Sequence, residues 1–182
     1  SKIMARKTEV IQTLRAGIAA MMKKNQVEVL FGVAKLIGPR KVEVDGVTYE
    51  GENVVIAVGG SPIVPPIPGV DQPHVMTSKE ILSIEEMPES LAVIGGGVIG
   101  IEFASFFSSL GVKVEVIEML DEIIPFMDDE QVAQFRRVLK RKVKFNLGCR
   151  VTEIDGHIVK FTTKSGEEKA ISADVVLMAV GR

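Results

Sequence analysis

The hydrophobic positions near the start of the chain repeat with the period of a helix. Apolar side chains recur there at steps of three and four residues, at Ile11, Leu14, Ile18 and Met21. This spacing places them on one stripe of a helix, which we predict over residues 3–24. We expect the stripe to be packed, and we expect its original partner to lie outside this chain. In that case the helix docks elsewhere or pairs with a second chain.

The pattern then changes to one typical of strands. Residues 27–37 contain two short apolar runs broken at Gly32, and apolar and polar residues alternate around Asp45–Gly46, a strong signal for a two-residue hairpin. The apolar run 53–60 predicts a buried strand that ends in glycines. The following segment 61–69 is too rich in proline for a helix or a central strand, so it predicts a crossing between domains.

Further along, strands alternate with helices. Thr77 with Glu80 matches a capping box, which predicts a short helix. From Leu91 the order is apolar strand, glycine turn, helix and second strand, which predicts a βαβ unit. Asp128 or Asp129 begins another helix, and the basic residues at the end of that helix suit its dipole.

An antiparallel segment precedes the last strand. Residues 143–148 predict a strand, 150–172 predict an antiparallel meander, and the continuous apolar run 174–181 predicts a buried strand. Together these elements predict an α/β fold class, a Rossmann-like nucleotide-binding domain with a parallel sheet, helices and an added meander. We place the domain boundary between residues 1–60 and residues 61–182.

Composition argues against several classes of function. Apolar residues make up 46% and charged residues 25%, and the formal net charge of -2 argues against nucleic acid or an anionic membrane as a partner. We expect no membrane span and no signal peptide.

The single cysteine, Cys149, fits a small residue at a strand end better than a catalytic thiol. We read His74 and His157 as surface residues and predict no metal site.

The glycines between the first two strands of the βαβ unit carry the clearest chemistry. Gly95, Gly97 and Gly100 form G-x-G-x-x-G between an apolar strand and a helix. In this context Gly95 permits the tight turn, Gly97 lets a pyrophosphate approach the backbone, and Gly100 lets the helix pack close to the strand. The N-terminus of the helix then offers N–H groups and a partial positive charge to phosphates.

Glu118 ends the second strand about twenty residues later, where a dinucleotide fold places an acid on the adenosine ribose. Its carboxylate would accept bonds from both ribose hydroxyls and repel a 2′-phosphate, and Met119 and Leu120 supply no arginine. These features predict NAD(H) rather than NADP(H). A glycine turn with a solvent-facing glutamate is the alternative. Glu102 lies early in the helix, where the helix dipole favours an acidic side chain. A structural role and a functional role therefore explain an acid at this position equally well.

This combination resembles the flavoprotein disulfide reductases, and it is most similar to the members that oxidise dihydrolipoamide. The segments "AVIGGGVIGIEFASFFSSLGVKVEVIEM", "VVIAVGGSP", "PGV", "TSKEIL" and "VLMAVGR" carry the resemblance, which covers nearly the whole chain. In that family an NAD domain interrupts an FAD domain, and a dimerisation domain follows. The family's FAD glycine motif, C-x-x-x-x-C pair and C-terminal His-Glu pair are not found in this sequence.

The resemblance implies that the chain is an internal piece of such an enzyme and is inactive alone. Residues 1–60 would be part of the FAD domain, and residues 61–182 the NAD-binding domain. The parent would use FAD and NAD, form a homodimer, and serve 2-oxoacid dehydrogenase complexes in the cytoplasm. Another NADH-linked flavoprotein, such as an NADH oxidase or a mercuric reductase, and a non-enzymatic NAD-binding module are the alternatives.

The resemblance also implies binding residues, but no catalytic residue. The pyrophosphate loop matches Gly95, Gly96, Gly97, Val98, Ile99 and Gly100. Glu118 matches the ribose acid and Val151 a backbone position near the adenine. The loop by the nicotinamide half matches Ala179, Val180, Gly181 and Arg182. Glu102 matches an acid near the nicotinamide, while Ala34 and Gly59 match FAD contacts. Val58 departs from the family's usual threonine, which weakens the assignment of Gly59.

Overall fold

The chain forms two compact units, which divide between Gly59 and Gly60. The computed structural model describes residues 2–182. The predicted boundary lies one residue further along. The identity of the first unit as part of an FAD domain stays a prediction.

The first unit contains one long helix and a small antiparallel sheet. Its elements are α1 (Lys2–Lys24), β1 (Ala34–Gly38), β2 (Lys41–Val44) and β3 (Val47–Glu50), and the strands pair in that order. Asp45 and Gly46 join β2 to β3 with φ angles of +48° and +84°. Two successive positive φ angles are what a type I′ turn requires. The predicted helix and the predicted hairpin are therefore confirmed.

Two strand predictions for this unit are wrong, and the packing of the α1 stripe stays a prediction, because its partner was expected outside this chain. No residue of α1 is buried, and its apolar stripe is exposed, by 40% at Ile11 and 62% at Leu14. Residues 53–60 form no strand, and Val55 is 86% exposed. Of the two apolar runs in 27–37, only the second forms a strand. Apolar periodicity indicates burial against a partner, and nothing among the described residues covers these positions.

The second unit contains the remaining strands and two α-helices. In chain order they are β4 (Val75–Thr77), β5 (Ser90–Ile94), α2 (Val98–Ser109), β6 (Lys113–Glu118), α3 (Asp129–Leu139), β7 (Val143–Leu147), β8 (Cys149–Asp155), β9 (Ile158–Thr163), β10 (Glu168–Ser172) and β11 (Val175–Met178). The parallel sheet has the order β4-β11-β5-β6-β7, and β8, β9 and β10 form the antiparallel meander. This mixed α/β arrangement confirms the predicted fold class.

The two faces of the parallel sheet contribute to different cores because successive side chains of a strand point to opposite faces. On β5 and β11, Val93 and Leu177 pack in a cluster with Phe107 of α2. Their neighbours Ala92 and Met178 pack in the other cluster, with side chains of the meander. Helices therefore cover one face and the meander covers the other. This explains the continuous apolar sequence of the central strands.

The helix starts follow the predicted signals to different extents. The Asp128 carboxylate caps α3 by accepting hydrogen bonds from the backbone N–H of Glu130 and Gln131. At the predicted capping box, the Glu80 carboxylate accepts from Thr77 N at 2.8 Å, but only a single 3₁₀ turn follows, at Ile81–Ser83. None of the helices within residues 2–182 combines the length and apolarity needed to cross a membrane.

A carboxylate joins the start of β5 to the start of β11. Asp174 accepts hydrogen bonds from Ser90 Oγ at 3.0 Å, Ser90 N at 2.9 Å and Glu89 N at 3.0 Å. These bonds, led by the one from the Ser90 hydroxyl, lower the pKa of Asp174 below its ordinary value. In the unfolded chain the pKa of this carboxyl is about 3.9. Asp174 therefore stabilises the fold fully above this pH, and the stabilisation is lost as the pH falls through the lower pKa that Asp174 has in the folded chain.

Asp174→Asn is expected to make the free energy of unfolding depend less on pH in the acid range. Between about pH 5 and about pH 3, the urea midpoint should fall more steeply in the wild type than in this variant, because only the wild type takes up this proton on unfolding. Asp71→Asn, at an exposed position, is the matched control and should follow the wild type. Parallel curves for wild type and Asp174→Asn would contradict the assignment.

Candidate functional site

Three glycines shape the turn between β5 and α2. Gly95 has a φ angle of +110°, and a Cβ at this position would lie 2.4 Å from the carbonyl oxygen of Ala179. A Cβ on Gly100 would lie 2.1 Å from the carbonyl oxygen of Gly95. A Cβ on Gly97 would meet nothing within 4 Å. Gly95 and Gly100 are therefore required by packing, whereas the space beside Gly97 is open.

The same turn leaves the N-terminus of α2 free of a side-chain cap. Gly97 is the N-cap residue, with a φ angle of -70°, and it has no side chain with which to cap the helix. The first N–H groups of a helix have no acceptor within the helix, and the helix dipole adds a partial positive charge there. This end of α2 is therefore suited to an anion such as a phosphate.

A cavity of about 570 Å³ opens at the carboxyl ends of the parallel strands. In open α/β sheets this edge is where ligands bind. Most of the residues predicted to bind NAD line this one cavity: Gly95, Gly97, Val98, Ile99, Glu118, Val151, Ala179, Val180, Gly181 and Arg182. The fold thus brings together segments that lie far apart in the sequence.

The other predicted binding residues lie outside the cavity wall. Gly96 is buried in the glycine turn, and Gly100 packs against the strand behind it. Glu102 lies on the exposed side of α2. Ala34 begins β1 and Gly59 ends the first unit, whereas the cavity is formed within the second unit. The binding roles of all these residues stay predictions.

The Glu118 carboxylate is held by the backbone around it. One oxygen accepts a hydrogen bond from Gly96 N, and the other accepts from Leu120 N at 2.7 Å. The side chain is half-buried rather than solvent-facing. Each carboxylate oxygen can accept more than one hydrogen bond, so both retain capacity for hydroxyl donors. Glu118 therefore joins the glycine turn to the segment after β6 and also faces the cavity.

Some parts of the wall were missed by sequence reasoning. Arg150 and Phe126 both line the cavity, so a guanidinium is present although Met119 and Leu120 supply none. Arg150 follows the end of β7, and Phe126 follows the end of β6. Their positions after parallel strands are the sequence feature that could have indicated them as cavity residues. Cys149 also lies in the wall; it is buried, and burial raises the pKa of its thiol. A neutral thiol agrees with a packing role.

The two histidines make structural contacts. Their ring centroids are 4.6 Å apart, His74 bonds the carbonyl oxygen of Gly156 at 2.9 Å, and His157 bonds that of Ala173 at 3.0 Å. These bonds connect the turn between β8 and β9 to the segments that precede β4 and β11. Within residues 2–182, no three His, Cys, Asp or Glu side chains are grouped as a metal site requires.

Comparison with known proteins identifies the family of this chain. The sequence pattern of the pyridine nucleotide-disulphide oxidoreductases matches residues 1–182. The chain is 41% identical over 186 residues to the dihydrolipoyl dehydrogenase of Acholeplasma laidlawii, covering 100% of this chain and 55% of that protein. It is 37% identical over 188 residues to the dihydrolipoyl dehydrogenase of Bacillus subtilis, covering 100% of this chain and 41% of that protein.

A solved structure gives the same result. The Cu(II) complex of the HOCl-induced flavoprotein disulfide reductase RclA from Escherichia coli superposes with a TM-score of 0.84 at 30% identity, covering 98% of this chain and 42% of that one. The chain thus spans about half the length of the curated relatives it matches. Sequence pattern, relatives and fold together show that this chain belongs to the pyridine nucleotide-disulphide oxidoreductase family.

Proposed function

We propose that the second unit is the NAD(H)-binding part of a dihydrolipoamide dehydrogenase, and that the first unit is part of the FAD domain. The observation that supports this is the cavity at the carboxyl ends of the parallel strands, which has the open Gly97 backbone and the Glu118 carboxylate in its wall. A dinucleotide needs both a close backbone approach for its pyrophosphate and an acceptor for its ribose hydroxyls.

The residues of the cavity fit the parts of NAD(H) in order. The N–H groups at the start of α2 face the pyrophosphate, and Glu118 accepts the adenosine ribose hydroxyls. Val151 lies by the adenine, and the segment 179–182 lies by the nicotinamide half. Glycine backbone and apolar side chains form the cavity wall apart from Glu118, Cys149, Arg150 and Arg182. This part of the protein therefore supplies position and electrostatics, while the cofactors would supply the redox chemistry.

In the whole enzyme, oxidation of a lipoamide-linked dithiol to a disulfide yields two electrons and two protons. FAD, held by the rest of the enzyme, would carry these two electrons from a protein disulfide to NAD⁺, with one proton released, and the residues of the cavity would hold and orient the NAD(H). The similarity to RclA favours a second candidate, another flavoprotein disulfide reductase with a different substrate. The higher identity to two dihydrolipoyl dehydrogenases favours the first. A homodimer, 2-oxoacid dehydrogenase complexes and a cytoplasmic location belong to this proposal.

The wild-type chain is expected to bind NADH at least about tenfold more tightly than NADPH, a difference of roughly 1.4 kcal/mol. Glu118→Ala should narrow this ratio mainly by weakening NADH, because it removes the acceptor for the ribose hydroxyls. Glu118→Arg should narrow or reverse the ratio, because a guanidinium can bind a 2′-phosphate through two parallel hydrogen bonds. Calorimetric titration of both nucleotides against the three proteins at one salt concentration measures these ratios.

Glu86→Ala removes a carboxylate from an exposed position outside the cavity and serves as the control. It should bind both nucleotides as the wild type does. A wild type that prefers NADPH, or the same ratio in wild type, Glu118→Ala and Glu118→Arg, would show that Glu118 does not contact the ribose. Failure of the wild type to bind either nucleotide would contradict the proposed function itself.

A further inference from the structure

The segment between β6 and α3 carries an aromatic ring into the mouth of the cavity. Phe126 lines the cavity, yet 74% of its surface is exposed. It is the third residue of a turn that Met127 N closes by donating a hydrogen bond to Ile124 O at 3.1 Å. Pro125, the second residue, has the fixed φ angle that this turn position favours. The ring therefore stands at the tip of a defined turn.

The turn is fixed to the glycine turn and to the neighbouring strand. Ile124 N donates to the carbonyl oxygen of Gly96 at 2.9 Å, and the Ile124 side chain is buried in the core, with 5% of its surface exposed. Earlier in the same segment, Leu120 O accepts from Gly148 N, in the connection between β7 and β8, at 2.8 Å. These anchors hold Phe126 in place relative to the cavity wall.

The conformation of Ile124 is unfavourable by itself. Its φ angle is +45°, a region that β-branched residues rarely adopt, and a following proline disfavours it further. Such strain persists only where the surrounding structure holds it, and it is concentrated at functional sites. A single exposed phenylalanine is ordinary on a protein surface. Here a buried residue with a strained backbone holds the ring beside a cavity. This combination indicates that the ring has a role in ligand binding.

The order of the parallel strands shows which half of a dinucleotide the ring would meet. β5 and its glycine turn lie in the middle, with β6 and β7 on one side and β11 on the other. Glu118, Phe126 and Arg150 follow β6 and β7, so they belong to the side of the ribose acid. Segment 179–182 follows β11, on the opposite side. A dinucleotide that crosses the glycine turn therefore has its adenosine half near Phe126.

We propose that Phe126 packs against the adenine base of the bound dinucleotide and is a binding residue of the adenosine half. This inference rests on the proposed function. Base and ring would cover each other's exposed faces, since aromatic rings stack in offset or tilted arrangements. Such a contact contributes roughly tenfold or more to affinity.

The test uses two ligands and two substitutions at one position. Phe126→Ala should weaken NADH and ADP-ribose by the same factor, about tenfold, because both ligands contain the adenosine half. Phe126→Trp should retain the affinity, because an indole ring also stacks on a base. The chain contains no tryptophan. The new indole is therefore the only one, and its fluorescence should change when ADP-ribose is added.

Phe135→Ala is the matched control, since this ring lies on α3 outside the cavity wall and is also partly exposed. It should bind both ligands as the wild type does. The inference is overturned if Phe126→Ala, with an unchanged unfolding midpoint, binds ADP-ribose like the wild type, or if the fluorescence of Phe126→Trp does not respond. In those cases wild-type NADH binding still supports the proposed function; loss of wild-type binding overturns both.

Discussion

Gly97→Val is expected to weaken NADH binding by at least about a hundredfold, roughly 2.7 kcal/mol, while the chain stays folded. A Cβ at Gly97 meets nothing within 4 Å, and its φ angle of -70° suits any residue. The added side chain is therefore tolerated in the free protein. It fills the space through which a pyrophosphate approaches the start of α2. Calorimetry measures the affinity, and far-ultraviolet circular dichroism checks the fold.

Gly100→Ala, in the first turn of α2, should lower the stability of the fold rather than act through the space that the pyrophosphate occupies. Its Cβ would lie 2.1 Å from the carbonyl oxygen of Gly95, so α2 has to move away from β5. The urea midpoint should fall in this variant, whereas it should be nearly unchanged in Gly97→Val. If Gly97→Val binds NADH as the wild type does, the glycine turn is structural only and the assignment of the pyrophosphate site is wrong.

Gly69→Ala is expected to lower the free energy of unfolding by about 3 kcal/mol, a large effect for one methyl group. Gly69 has a φ angle of +84°, and a Cβ there would lie 1.8 Å from the carbonyl oxygen of Ile154 in β8. That carbonyl accepts a hydrogen bond from Gln72 Nε2 at 2.8 Å, and Ile154 N donates to Pro68 O at 2.8 Å. Alanine would disrupt both bonds.

Gly166→Ala separates backbone strain from the clash. Gly166 has a φ angle of +82°, almost the same as Gly69, but a Cβ there meets nothing within 4 Å. Only the strain of the left-handed conformation remains, about 1–2 kcal/mol. Urea unfolding of both variants gives the difference. Equal losses of stability would show that the approach of Gly69 to Ile154 is not as close as described.

The second unit was predictable because its local signals agree with its tertiary packing. The buried strands β5 and β11 read as continuous apolar runs, and each alternate side chain is covered by a helix or by the meander. In the first unit an apolar run was misleading. The continuous apolar run 53–60 predicts a buried strand, but these residues form no strand and are exposed. The apolar stripe of α1 is also exposed, as expected for a helix whose partner lies elsewhere.

The site was predictable where a short motif encodes its geometry. The roles of Gly95 and Gly100 follow from their spacing, and Glu118 follows from its place at the end of a strand. Arg150 and Phe126 were missed because their positions depend on distant contacts. Arg150 reaches the wall through the path of the chain from β7 into β8, and Phe126 through the left-handed conformation of Ile124, which no sequence preference indicates.

The position of β11 sets an order of assembly during synthesis. This strand lies between β4 and β5 and pairs Val176 with Val75 on one side and with Ala92 on the other. It is translated after every other strand of the sheet. The block from β5 to β7 can therefore form from contacts close in sequence, while β4 has to wait. Until β11 arrives, β4 and β5 present unpaired edges, which makes the nascent chain prone to pairing with other chains.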